Sequence, residues 1–297
     1  TITVAGLTGA NTFVAKGFRT GMVIRGTTGM TAASLNRNLY VLSVADTVLK
    51  VMPLDYVAGT GAKLTGETAS GVTLSVPGKR IIVPSSAHTN VSFGIEEFHT
   101  DITLSRFFTG CKPTQMALRL PATGMATVDF TVLGRNMAIN TAQQYTTPTA
   151  ATTSGIAAAP QGAVFMQGAP VGLITGMDVT IVGGHTSGTV IGSLFTPDIF
   201  QGRVRGSGQM TVYLQDETYL QYFAAETECE AGIVLNATSA LDSPFTVLHL
   251  PRIKFGGGTV DDGEKGLIIT MPFTVVKKGT ATGYDSTTVS VQDSLFQ

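Results

Sequence analysis

Four histidines, a few clustered carboxylates and two cysteines are the residues of this chain whose types could do chemistry. His88, His99, His185 and His249 are scattered, and no cysteine pair or second histidine stands at metal-ligand spacing. His249 alternates with Leu248 and Leu250, which puts it on the other face of a strand from them, a surface or interface position. Asp261, Asp262 and Glu264 carry the oxygens that Ca²⁺ takes, but they crowd into one Gly-rich turn without the alternating spacing of a calcium loop. Glu96 and Glu97, near Asp101, are neighbours on a strand and so point to opposite faces, against a paired-carboxylate site. Gly78-Lys79 is followed by Arg80 instead of Ser or Thr, and Thr73 stands where a phosphate loop needs its first glycine. GxSxG, HExxH and a strand-borne GxGxxG are all absent. Arg203 and Arg205 share a strand face and could meet phosphate, yet two arginines in a near-neutral chain are a weak nucleic-acid signal. Asn90 and Asn236 head glycosylation triplets, which matter only for a secreted eukaryotic protein. The residues predict no catalytic, cofactor-binding or metal site, and no enzyme.

Composition points the same way. Of 297 residues only 13% are charged, where about a quarter is usual, while hydrophobic content is ordinary at 43%. A lone soluble domain needs a charged surface to stay apart from its neighbours. So few charges, with 35 glycines, suggest a surface largely covered by other subunits. A net charge of −1 gives no long-range attraction to nucleic acid or to an anionic membrane. No apolar run is long enough to span a bilayer, and no charged-then-apolar signal segment follows Thr1. Cys111 and Cys229 could pair, but buried free thiols are the expectation.

The elements that must position these residues are strands. Residues 1–85 are a run of short, glycine-punctuated β segments that predict a small all-β module, standing alone or completing something larger. Lys79–Pro84 and Val91–Phe98 are the next strands, and Asp101 caps a short turn through DITLSRFF that Gly110 stops. The interval 141–160 is low in complexity and reads as a linker or a stacking loop. One helix is expected, with Asp216 as its cap, Glu217 at its positive end, and Tyr219, Leu220, Phe223 and Ala224 as its apolar stripe. Gly279–Gln297 is polar, a flexible tail or an arm ordered on a neighbour.

Within this order one phrase is said twice. Leu-x-Leu-Pro at Leu118–Pro121 returns at Leu248–Pro251, and Phe-Thr-Val at Phe130–Val132 returns at Phe273–Val275. Met125, Thr127, Asp129 and Thr131 oppose Ala126, Val128, Phe130 and Val132, the period of a half-buried strand. Two echoes in one order predict a duplicated β unit, which suits assembly better than catalysis. Residues 86–140 and 161–279 would be the two copies, and 280–297 a C-terminal arm.

Two long phrases carry a family resemblance. Ser92–Met137 resembles the first repeat of a bacteriophage tail tube protein, the major tail protein of long, flexible, non-contractile tails. Thr196–Phe223 and Leu250–Val275 resemble its second repeat. The resemblance implies a mainly β fold: two tandem β-sandwich or split-barrel units with a flanking helix, beside the small N-terminal module. It also implies homotrimeric rings of six similar units, stacked into a tube through which the genome leaves the capsid. The partners implied are further copies of the chain and the tail terminator, distal tail and tape measure proteins. DNA would pass only in transit through the lumen, without a membrane, cofactor or catalytic residue. The location implied is the virion tail, after assembly in the host cytoplasm. On the residues alone two other classes stay open: another β-rich assembly protein, pilin-like or capsid-decorating, and a secreted carbohydrate-binding protein.

Overall fold

In the computed structural model of the chain every residue is described except 32–33, 58–61, 63, 65–67, 85, 87, 149–160, 194, 262–265 and 297. Glycines and polar turns keep the N-terminal strands short: β1 (Ile2–Thr3), β2 (Val23–Thr28), β3 (Leu39–Val44), β4 (Val48–Pro53), the single-turn helix α1 (Leu54–Val57), and β5 (Thr73–Ser75). They form one five-stranded sheet in the order β1-β4-β3-β2-β5. Phe13, Ile24, Leu39, Val41 and Leu49 bury a core of its own, and Arg37 grips Asp55 through two hydrogen bonds of 3.1 and 2.6 Å. Both side chains are buried, so each charge depends on the other for its solvation.

The chain then builds a fourteen-stranded antiparallel network. Its strands are β6 (Lys79–Ile82), β7 (Phe93–His99), β8 (Leu104–Pro121), β9 (Thr127–Leu133), β10 (Asn136–Asn140), β11 (Gly162–Met166), β12 (Ala169–Pro170) and β13 (Ile174–Val182). After the two-stranded ribbon of β14 (Thr186–Ser187) and β15 (Ile199–Phe200) come β16 (Arg205–Tyr213), α2 (Thr218–Ala224), β17 (Cys229–Asn236), β18 (Phe245–Phe255), β19 (Thr259–Asp261), β20 (Ile268–Val275) and β21 (Ser290–Asp293). The fold is mainly β, as the strand-rich sequence predicts.

Pairing divides the network into two layers. One runs β9-β8-β13-β16-β20, the other β12-β11-β17-β18-β21-β6. The layers share β18, whose Ile253–Phe255 end pairs with β20 while Thr246–His249 pair with β21. Alternation sends Leu118, Val179, Met210, Met271 and Phe273 inward from the first layer, to meet Ala231, Ile233, Leu248, Leu250 and Ile253 from the second. Each large aliphatic side chain so buried is worth about 1.5–3 kcal/mol. The N-terminal module covers the second layer's other face, where Val23, Tyr40 and Leu54 pack on Phe165, Val234 and Val247. Tyr40 stacks on Phe165 at 4.2 Å and 11°. Its hydroxyl occupies the space that a β-carbon on Gly232 would need, so glycine there lets the module lie flat on the sheet.

Several elements differ from their sequence reading. DITLSRFF is not a capped turn: a tight reversal with Thr103 at φ 48° opens the 18-residue strand β8. Gly110, at φ 64°, bends this strand instead of stopping it. Around the bend β8 changes partners, from β7 and β10 on its first half to β9 and β13 on its second. In α2 the Asp216 side chain does accept the Thr218 amide at 2.9 Å. Tyr219 and Tyr222 pack on the core, however, whereas Leu220 and Phe223 stay exposed. The C-terminal segment is not a free tail, because β21 lies between β18 and β6. Its Gln292 is buried and bridges to the module, accepting from the Val23 amide at 2.8 Å and donating to the Val23 carbonyl at 2.9 Å. Likewise β6, inside the stretch 1–85, belongs to the large network. Of the interval 141–160, residues 149–160 lie outside the described residues.

Candidate assembly surfaces

The structure disperses the residues singled out for chemistry. His88 is exposed, and His99 sits 3.1 Å from Glu97 on a half-open strand end. His249 is buried, with neither ring nitrogen hydrogen-bonded, and its pKa is pushed down to about 3, first by burial and then by Arg80 and Lys278. Burial, with help from Lys112, also lowers His185. Glu96 and Glu97 do face apart. Glu96 accepts from Ser105 at 2.6 Å and from the Gln144 and Tyr145 amides at 2.8 Å each, while Glu97 pairs with Arg106. Burial alone would raise Glu96, but the three donors hold it below the usual carboxylate range. Glu96 is thus a clamp on the segment after β10. Cys111 and Cys229 are free and buried, and burial lifts the Cys229 thiol to about 11, far from a reactive thiolate.

Asp261 ends β19, and its two acidic neighbours lie outside the described residues. Among the described residues no group of three or more His, Cys, Asp or Glu is placed to hold a metal ion. Arg203 and Arg205 are both exposed at the rim of a shallow depression beside Gly184. Asn236 is buried and donates to the Gln161 carbonyl at 3.3 Å, so it presents no glycosylation acceptor.

What the sheet brings together instead are surfaces. Residues directly opposite on neighbouring strands share a face. One row across the outer face of the first layer reads Asp129, Ala117, Thr180, Ser207, Thr274 and Lys254. The next reads Thr127, Arg119, Asp178, Gln209 and Pro272. Gln209 donates to Asp178 at 3.1 Å, and the Thr211 and Thr270 hydroxyls lie 3.2 Å apart. This face is small, polar and nearly balanced in charge.

At one side of this layer β9 pairs, among the described residues, with β8 alone, which leaves a row of backbone donors and acceptors open. Its apolar face is uncovered as well. Val128 and Phe130 point to the core side, in the rows of Leu118 and Met116, but the second layer stops short of them. Phe130 stays 63% exposed. Alternation identified the residues on this face, but nothing in the pattern said that the face is left bare.

The echoes can be placed as well. Phe130–Val132 pair back onto Met116–Pro113, and Phe273–Val275 onto Phe255–Ile253, so both lie on the returning arm of a hairpin. Leu-x-Leu-Pro follows the paired residues in the first hairpin and precedes them in the second. The two copies of that phrase therefore stand at different heights.

Among the described residues no helix is long and apolar enough to cross a membrane. No curated protein matches the chain. The family model for phage tail tube protein matches residues 5–275, which takes in the N-terminal module after β1 and every strand of the large network except β21. By that match over most of its length, the chain belongs to the phage tail tube protein family and is a structural protein of the virion tail.

Proposed function

We propose that the subunit closes into rings through the open edge of β9, and that the rings stack into a tube whose channel is lined by the polar face of the first layer. The observation that carries this reading is the pairing of a strand edge and an apolar underside on one element. A neighbour that adds a strand to β9 also brings a surface to cover Val128 and Phe130. Lateral closure of this kind removes the exposed edge, and a head-to-tail contact forms a ring when the rotation closes. The near-balanced Thr, Ser and Gln rows suit a lining along which nucleic acid slides during ejection.

The proposal extends to the internal division of the chain. Residues 86–140 and 161–279 serve as two similar units, the Phe-Thr-Val hairpins being their common feature, so three chains supply six units per ring. The 141–160 interval links the units or meets the neighbouring ring, residues 280–297 complete the second unit, and the module in 1–85 rides outside. The tail terminator, distal tail and tape measure proteins are the other partners this reading implies. Electron microscopy of the purified chain tests it. Stacked rings with a central channel and six-fold pseudosymmetry are expected, and scattered monomers at high concentration would overturn the reading. Six chains in one ring would overturn the count alone.

A further inference from the structure

Ring closure uses the sides of the strands, whereas stacking has to use their ends. At the start of β13 the two layers splay apart around a groove of about 570 Å³. Leu120, Val164, Val171, Ile174, Met177 and Leu235 line it, and among the described residues no charged residue or histidine contributes to its wall. At the other end of β13, roughly 27 Å away at the rise of a strand, the chain leaves Val182 for the long connection to β16. That connection is held down at its base. Ile199 is buried, Lys112 donates to its carbonyl at 2.6 Å, and the same Lys112 ammonium neutralises Asp198 at 3.2 Å. Arg135 donates to the Thr196 carbonyl at 3.2 Å. Beyond these anchors the tip lifts away from the body: Val190 is 48% exposed and Ile191 is fully exposed.

An aliphatic tip on a tethered loop and a groove with aliphatic side chains in its wall thus stand at opposite ends of one strand. Within one subunit they are kept apart by the strand itself. Between subunits related by translation along that strand, they face each other. A contact between unlike surfaces of identical subunits does not close on itself, and its repetition makes a filament.

We infer that Val190 and Ile191 of one subunit seat in the β13 groove of the next subunit along the tube, a second copy of this chain being the occupant. This rests on the tube reading above and specifies its axial contact. Two variants test it against the unmodified chain. Ile191→Asp changes a side chain that touches nothing in the subunit, so folding and ring closure should persist. Stacking should weaken, with the concentration needed for tube growth rising about tenfold or more, the factor that ~1.4 kcal/mol represents. The double variant Ile191→Cys with Val171→Cys places thiols on tip and groove. Oxidised tubes should then give a ladder of chain multiples on a non-reducing gel, since Cys111 and Cys229 are buried. Tubes from Ile191→Asp at the unmodified concentration, or oxidised tubes without a ladder, would overturn the inference. Should Ile191→Asp misfold, the ladder alone decides. Failure of the unmodified chain to form tubes would overturn the tube reading and this contact with it, which separates the two failures.

Discussion

His249 is a residue whose burial makes the subunit's stability depend on pH. It sits where the second layer, the module and the C-terminal segment converge, with Glu230, Arg80, Lys278 and Tyr284 around it. The Glu230 carboxylate lies 4.0 Å from its ring, and its own pKa is raised by burial while the Tyr284 hydrogen bond and Lys278 pull it down. The histidine titrates near 6.5 when unfolded and near 3 when folded. Above pH 6.5 both states are neutral and its full contribution to stability is present. As pH falls from 6.5 toward 3 the unfolded chain takes up a proton that the folded chain refuses, and stability drops by up to about 1.4 kcal/mol per pH unit. Glu230 works in the opposite sense over the acid side, since a raised carboxylate is protonated in the folded state first. Denaturant titrations of the unmodified chain and of His249→Phe, run at pH 6.5 and 4.5, should isolate the histidine. The loss between the two pH values should shrink by about 2–3 kcal/mol in the variant, and equal losses would contradict this assignment.

At the scale of elements, β9 carries the proposed ring contact. Phe130→Lys adds a charge to a face that is open in the subunit and covered in the proposed ring. Stability of the free subunit should change by less than about 0.5 kcal/mol, while sedimentation and microscopy should show rings and tubes lost. Normal tubes from Phe130→Lys would remove β9 from the ring contact. The same strand marks how far sequence reaches. The alternation from Met125 to Val132 reveals a strand and sorts its two faces, because side-chain direction is a local property. That a face is bare is a property of the partner, which the pattern does not contain. β8 escaped for a related reason: Gly110 reads as a stop, but the strand continues because its neighbours change there. In α2 the capping aspartate and the inward Tyr219 were legible, whereas the half-buried Tyr222 was settled by the position of Phe255, which stacks on it. The polar run 279–297 hid β21 because several of its buried side chains are polar and satisfied by hydrogen bonds, as Gln292 is to Val23 and Pro77, with only Val289 and Val291 reaching the apolar core.

For the whole molecule, the proposed assembly separates into two directions. In that reading strand edges are used around the ring and strand ends along the tube, while the covered second layer leaves the N-terminal module on the outside. The sparse charge of the sequence fits such a subunit. Its mainly β class and its family were legible in long phrases such as Ser92–Met137, but the exposed tip and the groove at opposite ends of β13 were not. Val190-Ile191 looks like any apolar dipeptide in a turn until the fold sets it against solvent.

The position of β21 has a consequence for timing. Residues 290–293 lie between β18 and β6, joining residues 79–82 to the second layer, and supply the glutamine that fastens the module. The strand of the network that is made first is thus tied to the sheet by one made much later, so the second layer is complete only once both exist. A chain truncated after Ser286 should fail to give a cooperative unfolding transition, and addition of a peptide spanning Thr287–Phe296 should restore it in part. Cooperative unfolding of the truncated chain alone would show that the subunit matures without β21.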